Sequence, residues 1–437
     1  MRSHLLIVGL AALAACRRPQ PAPAADDDLD AALAPGERDA GPPPACRVLS
    51  RQAVVRGAAV DAGEGPLTAF EATRVVVSGR RRRLSWVDAR SARLVLGGDG
   101  AEREVTRPMG PGEHSDPSFE WMGAAATPAV AWTHDTLGGR RHVVRWGASL
   151  ERGCAQPETR DEGLSITTAS TPRGLLVAWD DDGPRPAAGS VKLQLIEEGA
   201  LRPVASDDAL PACPAPRQVS APEQDASDPV LAPAPDGGAV LAWLTARDVD
   251  ATQANDTVTD LWAQSLGPDG QSVGAPLRLT NALGHRFGVS VSVGEDGGTW
   301  VAFRVADETD SESRGDGGDV VVVRAERGAQ GLRRASDPFV VTRGDINPSG
   351  APQIFAGRGG AQVFLVHRQG QAVSTLARTL RVSQGSLSAG ELRAEPALAG
   401  RLPSAQEPSG HLLVAAASGA GALDLLRVRC DLRRQGP

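Results

Sequence analysis

An all-β chain is what this sequence predicts, and three observations predict it. Gly (50) and Pro (33) are unusually frequent among the 437 residues, well above an ordinary share of roughly 12% for the two together. That much turn chemistry disfavours long helices. Short β-rich runs recur along the chain, joined by Asp-Gly turns, the strongest local hairpin signal. The runs also come in sets of four, and the set repeats.

The clearest set begins with Asp228-Pro229-Val230-Leu231-Ala232 and turns at Pro235-Asp236-Gly237-Gly238. It continues with Ala239-Val240-Leu241-Ala242-Trp243, then Leu261-Trp262-Ala263-Gln264-Ser265-Leu266. The turn Pro268-Asp269-Gly270 leads to Pro276-Leu277-Arg278-Leu279-Thr280. Aligning the residue that ends the second run yields Trp86, Trp132, Trp179, Trp243, Phe303, Val366 and Ala416, at intervals of 46 to 64 residues. Seven units of four antiparallel strands describe a β-propeller. The tryptophans read as filler between neighbouring units, since they recur at one strand position.

The ends suggest how such a ring closes. The seventh unit offers three runs, ending in Leu425-Leu426-Arg427-Val428-Arg429-Cys430. An orphan fourth run, Gln52-Ala53-Val54-Val55-Arg56-Gly57, stands before the first unit. It matches Phe339-Val340-Val341-Thr342-Arg343-Gly344, so the N-terminal strand is expected to complete the last blade and cover its open edge. The blades resemble those of secreted bacterial propeller proteins with Asp-Pro, Asp-Gly-Gly and Ala-Trp repeats. The resemblance is to an architecture and spans residues 52–430.

The N-terminus reads as an address. A basic start and the apolar run Leu5 to Ala15 form a secretory signal over residues 1–15, too short to span a bilayer. Leu13-Ala14-Ala15-Cys16 resembles a bacterial lipobox, which implies that Cys16 is diacylated and becomes the mature N-terminus. Arg17 lacks the aspartate that marks inner-membrane retention in some bacteria, so the outer membrane is favoured. Residues 16–45 hold seven prolines after Cys16 and the run Asp26-Asp27-Asp28, a composition that cannot bury enough apolar surface to fold and reads as a tether. The propeller occupies 46–437.

Four cysteines remain: Cys46, Cys154, Cys213 and Cys430. An even number in an exported chain reads as two disulfides with three connectivities. In the repeat frame Cys46 and Cys430 belong to the closing blade, and Cys154 and Cys213 to blades two and three. The expected pairs are therefore Cys46–Cys430 and Cys154–Cys213, all four at one rim.

Composition excludes several chemistries. There is no tyrosine, and Lys192 is the only lysine; it sits in an alternating strand-like run without the glycines of a phosphate loop. A net charge of −7 argues against a nucleic-acid partner. Gly270-Gln271-Ser272-Val273-Gly274 fits the hydrolase elbow pattern, yet a β-rich run follows where a helix is required. His114, His134, His142, His285, His367 and His411 are scattered over different blades and read as surface or rim residues. Arg80-Arg81-Arg82-Arg83 reads as a solvated hairpin turn.

The acidic loops between second and third strands are the better lead. They carry Asp180, Asp181 and Asp182, then Asp248, Asp250, Asp256 and Asp260, then Asp307, Glu308, Asp310, Glu312, Asp316 and Asp319. They are expected side by side on the face opposite the cysteines, binding a basic surface, a polysaccharide, or calcium through oxygen ligands. The sequence points first to a lipid-anchored, extracytoplasmic, non-catalytic binding or scaffold module of the cell envelope. It would be a monomer, touching the membrane through its lipid alone and engaging an envelope protein or polysaccharide. No catalytic residue or cofactor is assigned. The alternative is a propeller-type carbohydrate-active hydrolase or lyase using carboxylates near the central channel.

Overall fold

A computed structural model describes residues 46–55 and, within 71–430, the strands and most of their turns. The segments 105–117, 182–188, 249–256 and 307–317 are among those outside it, as are residues 1–45 and 431–437. The lipobox and tether expectations therefore lie outside the described residues. The chain divides between Pro43 and Pro44, and the second unit carries every described strand.

This unit is all-β. Its described strands form seven antiparallel sheets of four or five strands. Sheet one comprises Glu71–Ser78, Arg81–Asp88, Arg93–Gly97 and Arg103–Glu104. Sheet two holds Ser118–Met122, Thr127–Thr136, Gly139–Trp146 and Arg152–Ala155, with Arg202–Pro203 added at its outer edge. Sheet three consists of Ile166–Ser170, Gly174–Asp181, Ser190–Glu197 and Arg217–Gln218. Sheet four is Asp225–Pro233, Ala239–Asp248, Thr257–Leu266 and Ser272–Arg278. Sheet five contains His285–Val293, Gly298–Ala306, Asp319–Gly328 and Gly331–Arg334, and Phe339–Val340 also pairs with its third strand. Sheet six is Pro348–Gly357, Gly360–Gln369, Ala372–Ser383 and Ser386–Ala389, with Arg393–Ala394 on its third strand.

Sheet seven is built from both ends of the unit. Ala405–Gln406, Leu412–Ser418 and Ala422–Cys430 are joined at the outer edge by Cys46–Val55. Cys46 lies opposite Cys430 in register, and the two are disulfide-bonded. The expected closing strand and its disulfide are both present.

The core is a series of interfaces between neighbouring sheets. Trp179 packs with Ala129, Val144 and Trp146 of sheet two, and Trp243 packs with Leu176, Ala178 and Leu193 of sheet three. Phe303 packs with Val240, Ala242 and Leu261 of sheet four. Each bulky residue thus fills the gap to the preceding sheet, and each is at most 4% exposed. The reading of the tryptophans as filler holds at these positions.

First strands lie against first strands: those of sheets one and two, two and three, three and four, four and five, and five and six touch in turn. The first strand of sheet one also meets Ala405–Gln406 and Leu412–Ser418 of sheet seven. An innermost strand has an edge of backbone amides that must find partners. Hydroxyls of the preceding sheet supply them. Thr168 N donates to Ser118 Oγ (3.0 Å), Leu231 N to Thr167 Oγ1 (3.1 Å), Ile354 N to Ser290 Oγ (3.2 Å) and Ala356 N to Ser292 Oγ (2.9 Å).

One segment departs from the repeat. Between the third and fourth strands of sheet three the chain crosses to sheet two, pairing Arg202 with Gly153 and bridging Ala212 to Ala155. Cys213 on this excursion is bonded to Cys154, as expected. The two disulfides place the protein in an oxidising, extracytoplasmic compartment. Among the described residues no helix is long and apolar enough to cross a membrane.

Candidate functional site

A cleft of about 360 Å³ opens where sheets two and three meet. The hairpin of sheet two presents Arg140 and His142; sheet three presents Trp179, Asp180, Asp181 and Lys192; the excursion supplies Cys213 and its neighbours. Register explains the grouping. Thr133 lies opposite His142, and Trp179 lies opposite Lys192. Strand neighbours directly opposite share one face of a sheet.

His142 is the floor of this cleft. Its ring sits 5.1 Å from that of Trp179, and its Nδ1 is 2.9 Å from Thr133 Oγ1. Burial, reinforced by the Arg140 charge, lowers its pKa from 6.5 to about 4. The imidazole is therefore neutral at neutral pH, a base in a cleft that Arg140 and Lys192 also line. His134 and His142 are both buried, which corrects the expectation of surface histidines. The hairpin Thr127–Thr136/Gly139–Trp146 is long enough to carry them inside the sheet packing.

The acidic lead changes character. Asp180 is a strand residue, 6% exposed, and not part of a solvated loop. It accepts Ser165 N (2.9 Å) and Asp228 N (3.3 Å), while Ser165 Oγ donates to Asp228 Oδ1 (3.1 Å). Asp228 has a left-handed backbone, φ 51°, at a bulge of the innermost strand of sheet four. Glycines take this conformation at the bulges of sheets five and six, Gly288 and Gly350. An aspartate there costs about 1 kcal/mol or more, which its hydroxyl and amide partners offset. Asp180 thus organises the mouth between sheets three and four.

The other acidic candidates divide in the same way. Asp260 is buried and paired with Arg278 and Arg286. Asp319 is exposed and accepts Thr342 Oγ1 at 2.9 Å. The backbone of Asp248 ends a strand, whereas Asp182, Asp250, Asp256, Asp307, Glu308, Asp310, Glu312 and Asp316 lie outside the described residues. Among the described residues no cluster of His, Cys, Asp and Glu is arranged to hold a metal ion. Nor do the disulfide and the carboxylates occupy opposite faces, since Cys213, Asp180 and Asp181 line one cleft. The excursion brings Cys213 back to the end of sheet three where its short fourth strand pairs at Lys192 and Leu193.

Two further sequence readings resolve here. Ser272 begins a strand with no helix after it, so the elbow pattern is coincidental. Arg81, Arg82 and Arg83 belong to a strand and not to a turn.

Glu120 was not singled out by any motif. It lies on the innermost strand of sheet two, and burial pushes its carboxyl up to about 8 against the opposing pull of the Trp121 amide and the Ser170 hydroxyl. The folded chain holds this proton between about pH 4.5 and 8, where the unfolded chain has released it. The contribution of Glu120 to stability is present below that window and is lost as pH rises through it. Glu120→Gln should therefore gain stability relative to the parent as pH increases toward about 8, read from denaturant midpoints across the range. Equal midpoint differences at all pH values would contradict the raised value.

No family model matches the chain, and no curated protein matches it. Among solved structures it is similar to a polysaccharide lyase of family PL25, an ulvan lyase bound to a GlcA–Rha3S ligand. That match has 9% identity and a TM-score of 0.48, and covers 89% of this chain and 99% of the other. It is also similar to the GH93 α-L-arabinofuranosidase of Fusarium graminearum with arabinobiose, at 9% identity and a TM-score of 0.41, covering 77% and 98%. A third is an endo-1,4-β-xylanase from Bacteroides thetaiotaomicron, at 11% identity and 0.33, covering 64% and 95%. These are carbohydrate-active enzymes. The expectation of a non-catalytic module, and of no enzyme, is corrected on that finding.

Proposed function

We propose that the chain is a carbohydrate-active enzyme, a lyase in preference to a hydrolase, on a seven-bladed propeller tethered to the cell envelope. The observation that carries the chemistry is the cleft in which neutral His142 stands with Arg140 and Lys192. Eliminating a glycosidic oxygen next to a uronate needs two things. A cation must neutralise the carboxylate, so that the adjacent C–H becomes acidic, and a base must take that proton. Arg140 and Lys192 supply the first. His142 supplies the second: with Nδ1–H donated to Thr133 Oγ1, the Nε2 lone pair is the open position. The C–H pair becomes the new C=C bond as the C–O bond breaks, and the leaving oxygen takes a proton from water. An anionic substrate would raise the His142 pKa from its value in the free protein, bringing it closer to the working pH.

A pair of carboxylates is less well served. Of the two carboxylates that line the cleft, Asp180 is committed to two backbone amides. One observation favours hydrolysis instead: Glu120 keeps its proton at neutral pH, as a glycosidase general acid must. Incubation with uronate-containing polysaccharides separates the two. A lyase yields unsaturated ends that absorb in the ultraviolet, and a hydrolase yields new reducing ends without that absorbance. Neither product from any such polysaccharide would refute the proposal.

Seven sheets, neighbouring first strands and the N-terminal strand on sheet seven support the ring. The lipobox-like residues 13–16 support a diacylated Cys16 and an outer-membrane address, with the proline-rich segment as spacer. Cys16→Ser should shift the protein out of the detergent phase or leave it unprocessed. Unchanged processing and partitioning in that variant would remove the anchor from this reading.

A further inference from the structure

A second cleft, about 920 Å³, lies between sheets six and seven. Its polar lining includes Arg381, Arg429, His411, Ser409, Gln362 and Gln406, and among the described residues no carboxylate lines it. In a chain of net charge −7 this is a local reversal: Pro348 to Cys430 carries eight arginines against four carboxylates. The nearby acids are already paired, and Glu407 also lies 3.5 Å from His411 Nδ1 at the edge of the cleft. Glu407 accepts Arg427 Nε (2.8 Å) and Ser409 Oγ (3.0 Å), and Asp424 accepts Arg51.

Two observations point to a ligand. Arg429 stands directly opposite Arg47 in the closing strand pair, and both are exposed. Like charges in that relation repel unless an anion lies between or above them. His411 Nδ1 is 2.8 Å from Arg427 Nη2, a donor, so the ring keeps its proton on Nε2 and offers a further donor. Gly359 and Gly410 line the same cleft, and a side chain added at either would meet nothing within 4 Å.

We infer that this cleft binds an anionic polysaccharide, with Arg381 and Arg429 on its carboxylate or sulfate groups and the Ser and Gln side chains on its hydroxyls. The volume is at the upper end of the range for small-ligand sites, more than one inorganic anion needs. Single-stranded nucleic acid would call for aromatic stacking platforms, and among the described residues Phe355 is the one aromatic carbocycle in the lining. The inference stands apart from the chemistry assigned to His142, because it concerns a different pair of sheets and is read by binding.

The test is affinity electrophoresis of the full chain through gels containing polygalacturonate, dextran sulfate or neutral dextran. The polyanion gels should retard the protein and the neutral gel should not. Arg381→Gln/Arg429→Gln should weaken binding roughly 10- to 100-fold, the worth of one or two charge-assisted hydrogen bonds, and should lower its salt dependence. A charge-matched variant, Arg202→Gln/Arg333→Gln, should bind as the parent does. Retardation that survives the Arg381/Arg429 change, or that falls equally in the charge-matched variant, overturns the inference. So does the absence of retardation in both polyanion gels, or equal affinity for a single-stranded oligonucleotide.

Discussion

His142→Gln should reduce turnover by about 10²- to 10⁴-fold, the usual worth of a positioned acid–base group, and should also change how the protein tolerates acid. Burial and Arg140 hold His142 near 4 in the folded state. Between about pH 6.5 and 4 the unfolded chain binds a proton at this residue that the folded chain refuses. Stability therefore falls as pH drops through that window and levels off below it, by about 3 kcal/mol for a shift of this size. Gln carries no such proton, so the variant should lose this part of the acid sensitivity. Unfolding midpoints at neutral and acid pH for parent and variant measure it. If the two show the same slope, His142 does not titrate as described. If turnover persists with normal folding, it is not the base.

Cys46→Ser/Cys430→Ser should be the more destabilising of the two disulfide removals, since Cys46 is also buried in the core of sheets six and seven. The bond joins residues 384 apart, and loop-entropy models place such a cross-link at roughly 6 kcal/mol before strain is subtracted. The closing strand has other support, including Cys46 N donating to Glu395 Oε2 at 2.8 Å. Loss of the bond should therefore first free the strand Cys46–Val55 and expose the edge of Ala422–Cys430. Hydrogen exchange at residues 422–430 should rise well before global unfolding. Cys154→Ser/Cys213→Ser spans only 59 residues, so its entropic term is smaller by roughly 1.5–2 kcal/mol. Its larger effect should be on the cleft that Cys213 lines. Equal destabilisation by the two pairs, with no change in exchange at 422–430, would contradict this account of closure.

Much of the scaffold was legible because its signals are local. Asp236-Gly237 and Asp269-Gly270 demand turns, and the apolar alternation between them leaves hairpins as the one way to bury a face. The repeat of Trp179, Trp243 and Phe303 located the second strands of sheets three, four and five, because each fills the gap to the preceding sheet. The unmatched run before the first unit and the even cysteines were enough to foresee the closing strand and both disulfides.

The site was not legible in the same way. Asp180 looked like the first acid of a loop, since nothing nearby reveals that the amides of Ser165, just before one strand, and Asp228, within another, converge on it. His142 looked isolated, although the spacing around Thr133, Asp135 and Gly139 could have placed it opposite Thr133. The fall in its pKa could not be foreseen, because desolvation depends on Trp179 from the next sheet. By itself the sequence determined the strands, their turns, the order of the sheets and the cysteine pairing, all of which follow from periodicity and chain connectivity. Only the tertiary structure decided which polar groups share a cleft and which of them keep their protons. Those properties arise where two sheets meet, and burial there is set by residues far apart in the chain.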